Sequence, residues 1–409
     1  MEHVPLELTY LVHLRQRHLR NLVLHCQGCI TTTQSWLELD ELQHLSTVSL
    51  HISSNDDCVR GRQMLEQMTH LRNLSIGIGY ENSMGAQGVV NILFARWKGK
   101  EETRKLQLEE LLFRRCDWEG NGQILASVLD MNKLKHLAFI ECSETDELLE
   151  SFLKAPVNLR VFIDEACTNI AEPATRSHEK FLEHFQGLQQ LRFTRETNED
   201  LQLSSWKSIR AHGASLRLRF IDDLGRNANP YTLDSTNRRN MAAFRGLCIH
   251  CPQLEQLAIQ PPPVYHTHDE SSYNFQAFLR CLKNLRKLTA LRLITYPGLL
   301  LQSRGPDVED KPTIELRDLR LKIEMQELAD RIITELYVCC PSFTALVIDA
   351  RERHQDIGSG DTANSYGCLR EIRTDPFKWE KAAGYPIEPH MIKHHEPCSQ
   401  IFENRIKTL

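Results

Sequence analysis

A short apolar triplet with fixed spacing recurs along this chain and ends, in places, with a cysteine. "LEELLFRRC" (Leu108–Cys116) places Leu108, Leu111, Phe113 and Cys116. "LKHLAFIEC" (Leu134–Cys142) repeats the register with Leu134, Leu137, Phe139 and Cys142. "LRVFIDEAC" (Leu159–Cys167) keeps Leu159, Phe162 and Cys167 but puts Asp164 at the third apolar site. The starts are 26 and 25 residues apart. A fixed period in the range of roughly 20–29 residues is the mark of a stacked repeat, in which each unit buries its apolar face only against its neighbours.

Upstream copies are Leu19–Leu22–Leu24, Leu45–Val48–Leu50 and Leu71–Leu74–Ile76. Downstream copies are Leu188–Leu191–Phe193, Leu254–Leu257–Ile259, Leu288–Leu291–Leu293, Leu316–Leu319–Leu321 and Phe343–Leu346–Ile348, with "SLRLRF" (Ser215–Phe220) read as a compressed copy. That makes about twelve repeats. The second and third apolar residues of a copy alternate with exposed ones, which is strand periodicity. Between triplets, "QILASVLDM", "TDELLESFLKA" and "MQELADRIITELYVC" space apolar residues three and four apart, as amphipathic helices do. The expected fold is α/β: a horseshoe solenoid with parallel strands on its concave face and helices on its convex face. Cysteine just past the strand is small enough to turn inward and meet turn backbone groups.

These features resemble the cysteine-containing leucine-rich repeats of F-box substrate receptors in cullin-type ubiquitin ligases. "HCPQLEQLAI" (His250–Ile259) and "CCPSFTALVI" (Cys339–Ile348) are similar to the Cys-Pro-x-Leu-x-x-Leu-x-Ile lead-in of that family. The resemblance spans roughly Leu19 to Ala350 and implies a leucine-rich repeat fold and a role in recognising a ubiquitination substrate. "VPLEL" (Val4–Leu8) resembles the opening Leu-Pro-x-Glu-Leu of an F-box, with Val4 in place of leucine. Three docking helices need some 40–50 residues, and the first repeat already begins at Leu19. The expected alternatives are a lost module, a shortened form or, favoured here, a capping segment over 1–18 that is an F-box remnant or merely resembles one, with binding to the cullin-ligase adaptor only if an F-box is present. The remaining organisation is a solenoid over 19–350, a polar linker over 351–367 and a capping tail over 368–409.

With 409 residues, 41% hydrophobic and 25% charged, and a net charge of −5, the composition is that of an ordinary globular protein. No apolar run approaches the ~20 residues of a membrane span, so no membrane partner is expected. The 13 cysteines sit at repeat positions rather than in a paired framework, which points to reduced thiols in the cytoplasm or nucleus. No phosphate-binding loop, nucleophile elbow or zinc-protease helix is present, so neither an enzyme nor a cofactor is expected. Three long inter-repeat loops are expected, at Leu224–Asn240, Gln260–Phe275 and Tyr296–Pro312.

Charge locates the expected binding face. Reading the outward strand positions in order gives mostly small, apolar and histidine residues first, with Arg114 among them. Arginine and lysine follow at Arg192, Arg219, Arg292, Arg320 and Lys322. A single-sign stripe on the concave side selects a protein partner of opposite sign, acidic or phosphorylated, because arginine favours bidentate contacts to carboxylate and phosphate. Nucleic acid is disfavoured by the absence of an overall basic footprint. The rival readings are a structural scaffold using the convex helices and a metal-dependent enzyme built on the tail cluster His390, His394, His395 and Cys398. A smaller cluster, His266, His268 and Asp269, lies on a loop. Cys26/Cys29 and Cys248/Cys251 have zinc-ligand spacing but fall in distant repeats, which cannot share one ion.

Overall fold

The computed structural model describes residues 21–25, 44–79, 85–94, 105–165, 172–195, 206–223, 233–259, 261, 269–293, 314–350, 364–374 and 380–387. The chain is α/β with mostly parallel strands, and it divides into two compact units, the first running to Leu188 and the second starting at Gln189.

In the first unit the strands β1 (Asn21–His25), β2 (Thr47–Ile52), β3 (Asn73–Ile78), β4 (Glu110–Arg114), β5 (His136–Ile140) and β6 (Val161–Glu165) pair in parallel, each with the next. The register follows the triplets. Val48, Leu74, Leu111, Leu137 and Phe162 form one inward row, and Leu50, Ile76, Phe113 and Phe139 lead the next, with Asp164 at its end. All are buried, as are the leading leucines Leu45, Leu71, Leu108, Leu134 and Leu159. Helices Asn55–Gln67, Gly85–Leu93, Gly122–Val128, Thr145–Phe152 and Glu172–His184 fill the crossovers that parallel pairing requires. Aromatic rings knit the layers together: Phe113 meets Trp118 edge-on at 4.7 Å, and Phe162 meets Phe181 at 5.3 Å between ring centres. Helix Gly122–Val128 starts so close to its successor that a Cβ on Gly122 would lie 2.5 Å from the backbone of Glu147 and Leu148. Only glycine fits there.

The cysteine expectation holds where it falls on described residues. Cys116 and Cys142 are buried in successive coils, and the Cys142 thiol lies 3.5 Å from the carbonyl oxygens of both Phe113 and Ile140. One thiol thus ties its own turn to the coil before it. The preceding residues, Arg115 and Glu141, adopt left-handed backbone angles (φ 59° and 54°) to make that turn, and their side chains form an ion pair at 2.5 Å. Burial pushes the Cys116 thiol well above its usual pKa. Cys167 lies outside the described residues. Every described cysteine is a free thiol.

In the second unit, strands β7 (Gln190–Arg195), β8 (Leu218–Asp223), β9 (Gln256–Ile259), β10 (Ala290–Leu293) and β11 (Ala345–Ala350) continue the pattern. The pairings of β8 with β9, β9 with β10 and β10 with β11 are parallel. Helices Trp206–Arg210, Leu233–His250, Asp269–Leu282 and Ile314–Tyr337 alternate with them. Two of these begin inside segments expected to be loops. The strands β12 (Asn364–Thr374) and β13 (Glu380–Ile387) then add antiparallel to β11, so regular structure starts three residues before the expected end of the linker. The hairpin is bound to the last helix. Tyr366 donates to Gln326 at 2.6 Å, Gln326 donates to the Gly384 carbonyl at 2.9 Å, and the Gly384 N–H donates to Asp330 at 2.7 Å.

Two repeat assignments need correction. Leu316–Leu319–Leu321 is not a strand: it lies in helix Ile314–Tyr337. The stretch from Leu316 to Ala329 contains no Gly, Pro or Asn to turn the chain, and its Glu, Leu, Arg and Lys residues are strong helix formers. Among the described residues, parallel pairing therefore runs through β1–β6 and β8–β11, with no strand at Leu316–Leu321. The Ser215–Phe220 copy is not compressed either. Arg219 pairs in register with Leu257, so the copy is Leu216–Arg219–Ile221 at ordinary spacing, with arginine where the other copies carry an apolar residue.

Candidate functional site

In the first unit, β2–β6 present three rows of side chains on the face away from the helices. Thr47, Asn73, Glu110, His136 and Val161 form the first, and Ser49, Ser75, Leu112, Ala138 and Ile163 the second. His51, Gly77, Arg114, Ile140 and Glu165 form the third. All but Leu112, Ala138 and Ile140 keep partial exposure. The face is graded: hydroxyl, amide and imidazole groups on β2 and β3 give way to an apolar strip on β4–β6. Its rim carries matched charges. His136 Nδ1 lies 3.1 Å from Glu110, and Glu109 lies between Arg72 at 3.1 Å and Lys135 at 2.6 Å. The hydrogen bond from Lys135 leads the effects that hold Glu109 below the usual carboxylate pKa.

The corresponding face of the second unit is closed. Leu218, Ala258, Ala290, Ala345 and Val347 form a buried apolar cluster, with Leu369 and Ile387 packed against it. Gln256 and Arg292 on the same face are 6% and 8% exposed.

This closure undoes most of the expected basic stripe. Arg192 and Arg292 stand at outward strand positions but are buried. Arg219 points inward among core residues and is fully buried, and burial presses its guanidinium pKa down to about 9. Arg320 and Lys322 are helical, and Lys322 is exposed. Parallel pairing therefore cannot line these five into one row. Arg114 alone of the six expected partner-binding residues is both outward-facing and partly exposed, and its side chain has no ion-pair or hydrogen-bond partner among the described residues.

The tail cluster His390, His394, His395 and Cys398, the histidines His266 and His268, the pair Cys26/Cys29 and the segment Val4–Leu8 lie outside the described residues. Among the described residues no group of three His, Cys, Asp or Glu side chains is placed to hold a metal ion. No described helix is long and apolar enough to cross a membrane.

One buried polar group was missed by sequence reasoning. His178, on helix Glu172–His184, is 1% exposed and joins Asp164 of β6 through Nε2, while its Nδ1 lies 3.4 Å from Asp146. Asp164 takes a core position that other copies fill with leucine, isoleucine or phenylalanine. A carboxylate there demands a buried partner. That demand was the available signal: the helix after β6 had to supply a polar group on its inner side. Nearby, Asp117 and Glu119 of the loop after β4 and Asp146 and Glu147 in the first turn of helix Thr145–Phe152 surround Glu144; burial and then these charges raise the Glu144 pKa.

No protein-family model and no curated protein matches this chain.

Proposed function

We propose that the chain is a leucine-rich repeat protein that recognises another protein on the outward strand face of its first unit, in the manner of the substrate-recognition portion of an F-box receptor. The observation that carries this reading is the contrast between the two strand faces. In the second unit the described outward positions of β8–β11 are under 9% exposed, whereas the first leaves twelve of fifteen partly open and grades them from polar to apolar. Partner interfaces have this composition: an apolar centre beside a polar rim with matched charges. The role is binding rather than catalysis, and the free thiols suit a reducing intracellular compartment.

The test is site-specific photo-crosslinking in the native cell. A benzophenone side chain at Ile163 on the face should capture a partner that the same group at Val338, an 82% exposed position in the second unit, does not. Ile163→Glu should abolish capture through a crosslinker at Ser75 while leaving the unfolding midpoint nearly unchanged. Capture of identical species from both crosslinker positions, or capture insensitive to Ile163→Glu, would place recognition elsewhere.

A further inference from the structure

Among the described residues β13 is the last strand of the sheet, and an edge strand offers its outward N–H and C=O groups to any strand that comes alongside. In an antiparallel ladder these outward groups recur at every second residue. Gly384 is one such position: its N–H and C=O both meet side chains of helix Ile314–Tyr337 rather than β12. Ala382 and Pro386, two residues to either side, share that edge. Pro386 is exposed and has no N–H to give.

The helix fills the Gly384 position as a further strand would. Asp330 accepts from the Gly384 N–H at 2.7 Å, in place of a strand carbonyl, and Gln326 Nε2 donates to the Gly384 C=O at 2.9 Å, in place of a strand N–H. The two side chains stand one turn apart on the helix and are joined to each other, Gln326 Nε2 donating to Asp330 Oδ1 at 3.0 Å. Tyr366 of β12 fixes which way the amide faces, because its hydroxyl donates to Gln326 Oε1 at 2.6 Å. Glycine lets the helix come this near: a Cβ at 384 would lie 3.2 Å from Ile333 Cδ1 and 3.3 Å from Cys368 Sγ. Apolar packing alone would dock the hairpin. A donor and an acceptor matched to one residue's backbone groups is what a sheet edge needs to be closed.

An open β13 edge is complementary to itself, since two identical edges can pair antiparallel about a two-fold axis. Such pairing would also cover Tyr385, which follows Gly384 on the opposite side of the strand and is 54% exposed. Leu369, the partner of Tyr385 on β12, and Ile387 pack against the buried outward cluster of the second unit, so Tyr385 is the open end of that apolar strip. We propose that Gln326 and Asp330, set by Tyr366, form a latch that closes the edge of β13, and that a β13 released from it pairs antiparallel with β13 of a second copy.

Sedimentation equilibrium on the intact chain tests this. Gln326→Leu with Asp330→Leu keeps good helix formers and removes the latch. That double variant should dimerise at least ~10-fold more tightly than the unaltered chain, because each freed edge gains backbone hydrogen bonds. Asp330→Ala alone, the milder change, should shift association in the same direction. Adding Ala382→Pro to either variant deletes the neighbouring outward N–H and should return association to the unaltered level. Hydrogen exchange reads the latch separately: the Gly384 amide should be protected in the unaltered chain and exchange faster in Asp330→Ala under conditions where that variant is monomeric. Variants that associate no more than the unaltered chain, or a dimer that survives Ala382→Pro, overturn the pairing through β13. A Gly384 amide unprotected in the unaltered chain overturns the latch itself.

Discussion

The two units are built from the same repeat yet treat their strand faces in opposite ways. In the first, β2 and β3 place Ser49, Ser75, Thr47 and Asn73 outward, and these remain half-exposed. In the second, β9–β11 place Ala258, Ala290, Ala345 and Val347 outward, and all are buried. The inward rows differ less: both are mainly leucine, isoleucine and phenylalanine, with Asp164 the exception in the first and Arg219 in the second. One strand-and-helix unit can therefore serve either as a wall that presents groups or as the middle of a two-sided core, and the outward residue decides which. Parallel strands buried on both faces favour apolar residues on both, and β9–β11 carry mostly such residues, with Gln256 and Arg292 the buried polar exceptions on the outward face.

The largest expected effect comes from the core common to every repeat. Phe139→Ala should destabilise the first unit by about 3–5 kcal/mol in denaturant unfolding, because Phe139 is fully buried and touches the rings of Phe113, Trp118 and Phe162. A change of a few tenths would contradict the register.

Nearly as large is the effect at the polar anomaly of the first unit. His178→Leu leaves the Asp164 carboxylate buried without its partner and should cost about 3–5 kcal/mol. Adding Asp164→Leu restores the pattern of the other copies and should recover most of that loss. A double variant as unstable as the single one would show that the two residues do not act as a pair.

Alkaline pH separates the units further. In the second, burial raises Cys251 and Cys340 to about 11 and Cys368 and Tyr366 to about 12, and it also raises Cys248 and Cys281. In the first, burial raises Cys58 to about 11 and Cys116 well above its usual value. A group whose folded pKa exceeds its unfolded value binds more protons when folded. Its contribution is complete below the unfolded pKa, near 9 for thiols, and is lost as pH rises through the folded value. Arg219, depressed to about 9, works in the opposite direction as one group against six. Hydrogen exchange followed from pH 8 to 11 should show protection falling sooner across β8–β12 than across β2–β5. Equal losses would contradict the difference in buried thiols.

The smallest effect should come from the rim. Arg72→Ala removes an exposed ion pair with Glu109 and should change stability by less than ~1 kcal/mol.

How much of this was legible in the sequence differs between the same two regions. Triplet spacing located β2–β6 and the inward residues of each, because strand period and repeat length reinforce one another. It also placed Cys116 and Cys142 in their turns. Spacing could not show that Arg192 and Arg292 are buried, since burial of an outward residue depends on what packs over the sheet. It misplaced Arg219 because arginine at an inward site disguises the copy; the backbone hydrogen bonds of Arg217 and Leu218 to the Gln189 carbonyl restore the register. It misread Leu316–Leu321 because apolar residues spaced three and two apart also occur by chance in a leucine-rich helix. The absence of a turn residue after Leu321 was the deciding feature. Asp164 was visible as an exception, but its partner is fourteen residues on and becomes apparent only when β6 and the following helix are packed together.

The difference between the strand faces is tested most directly by cysteine accessibility at matched positions. Ser75→Cys on β3 and Ala290→Cys on β10 introduce the same thiol at outward sites of the two units, and labelling with a maleimide can be followed by peptide mass spectrometry on the native chain. The open face predicts that Cys at 75 reacts on the order of 100-fold faster than Cys at 290, because thiol reactivity follows exposure and thiolate fraction. Comparable rates at the two positions would contradict the account, since the faces would then be equally open and the first unit would have no claim to be the recognition surface.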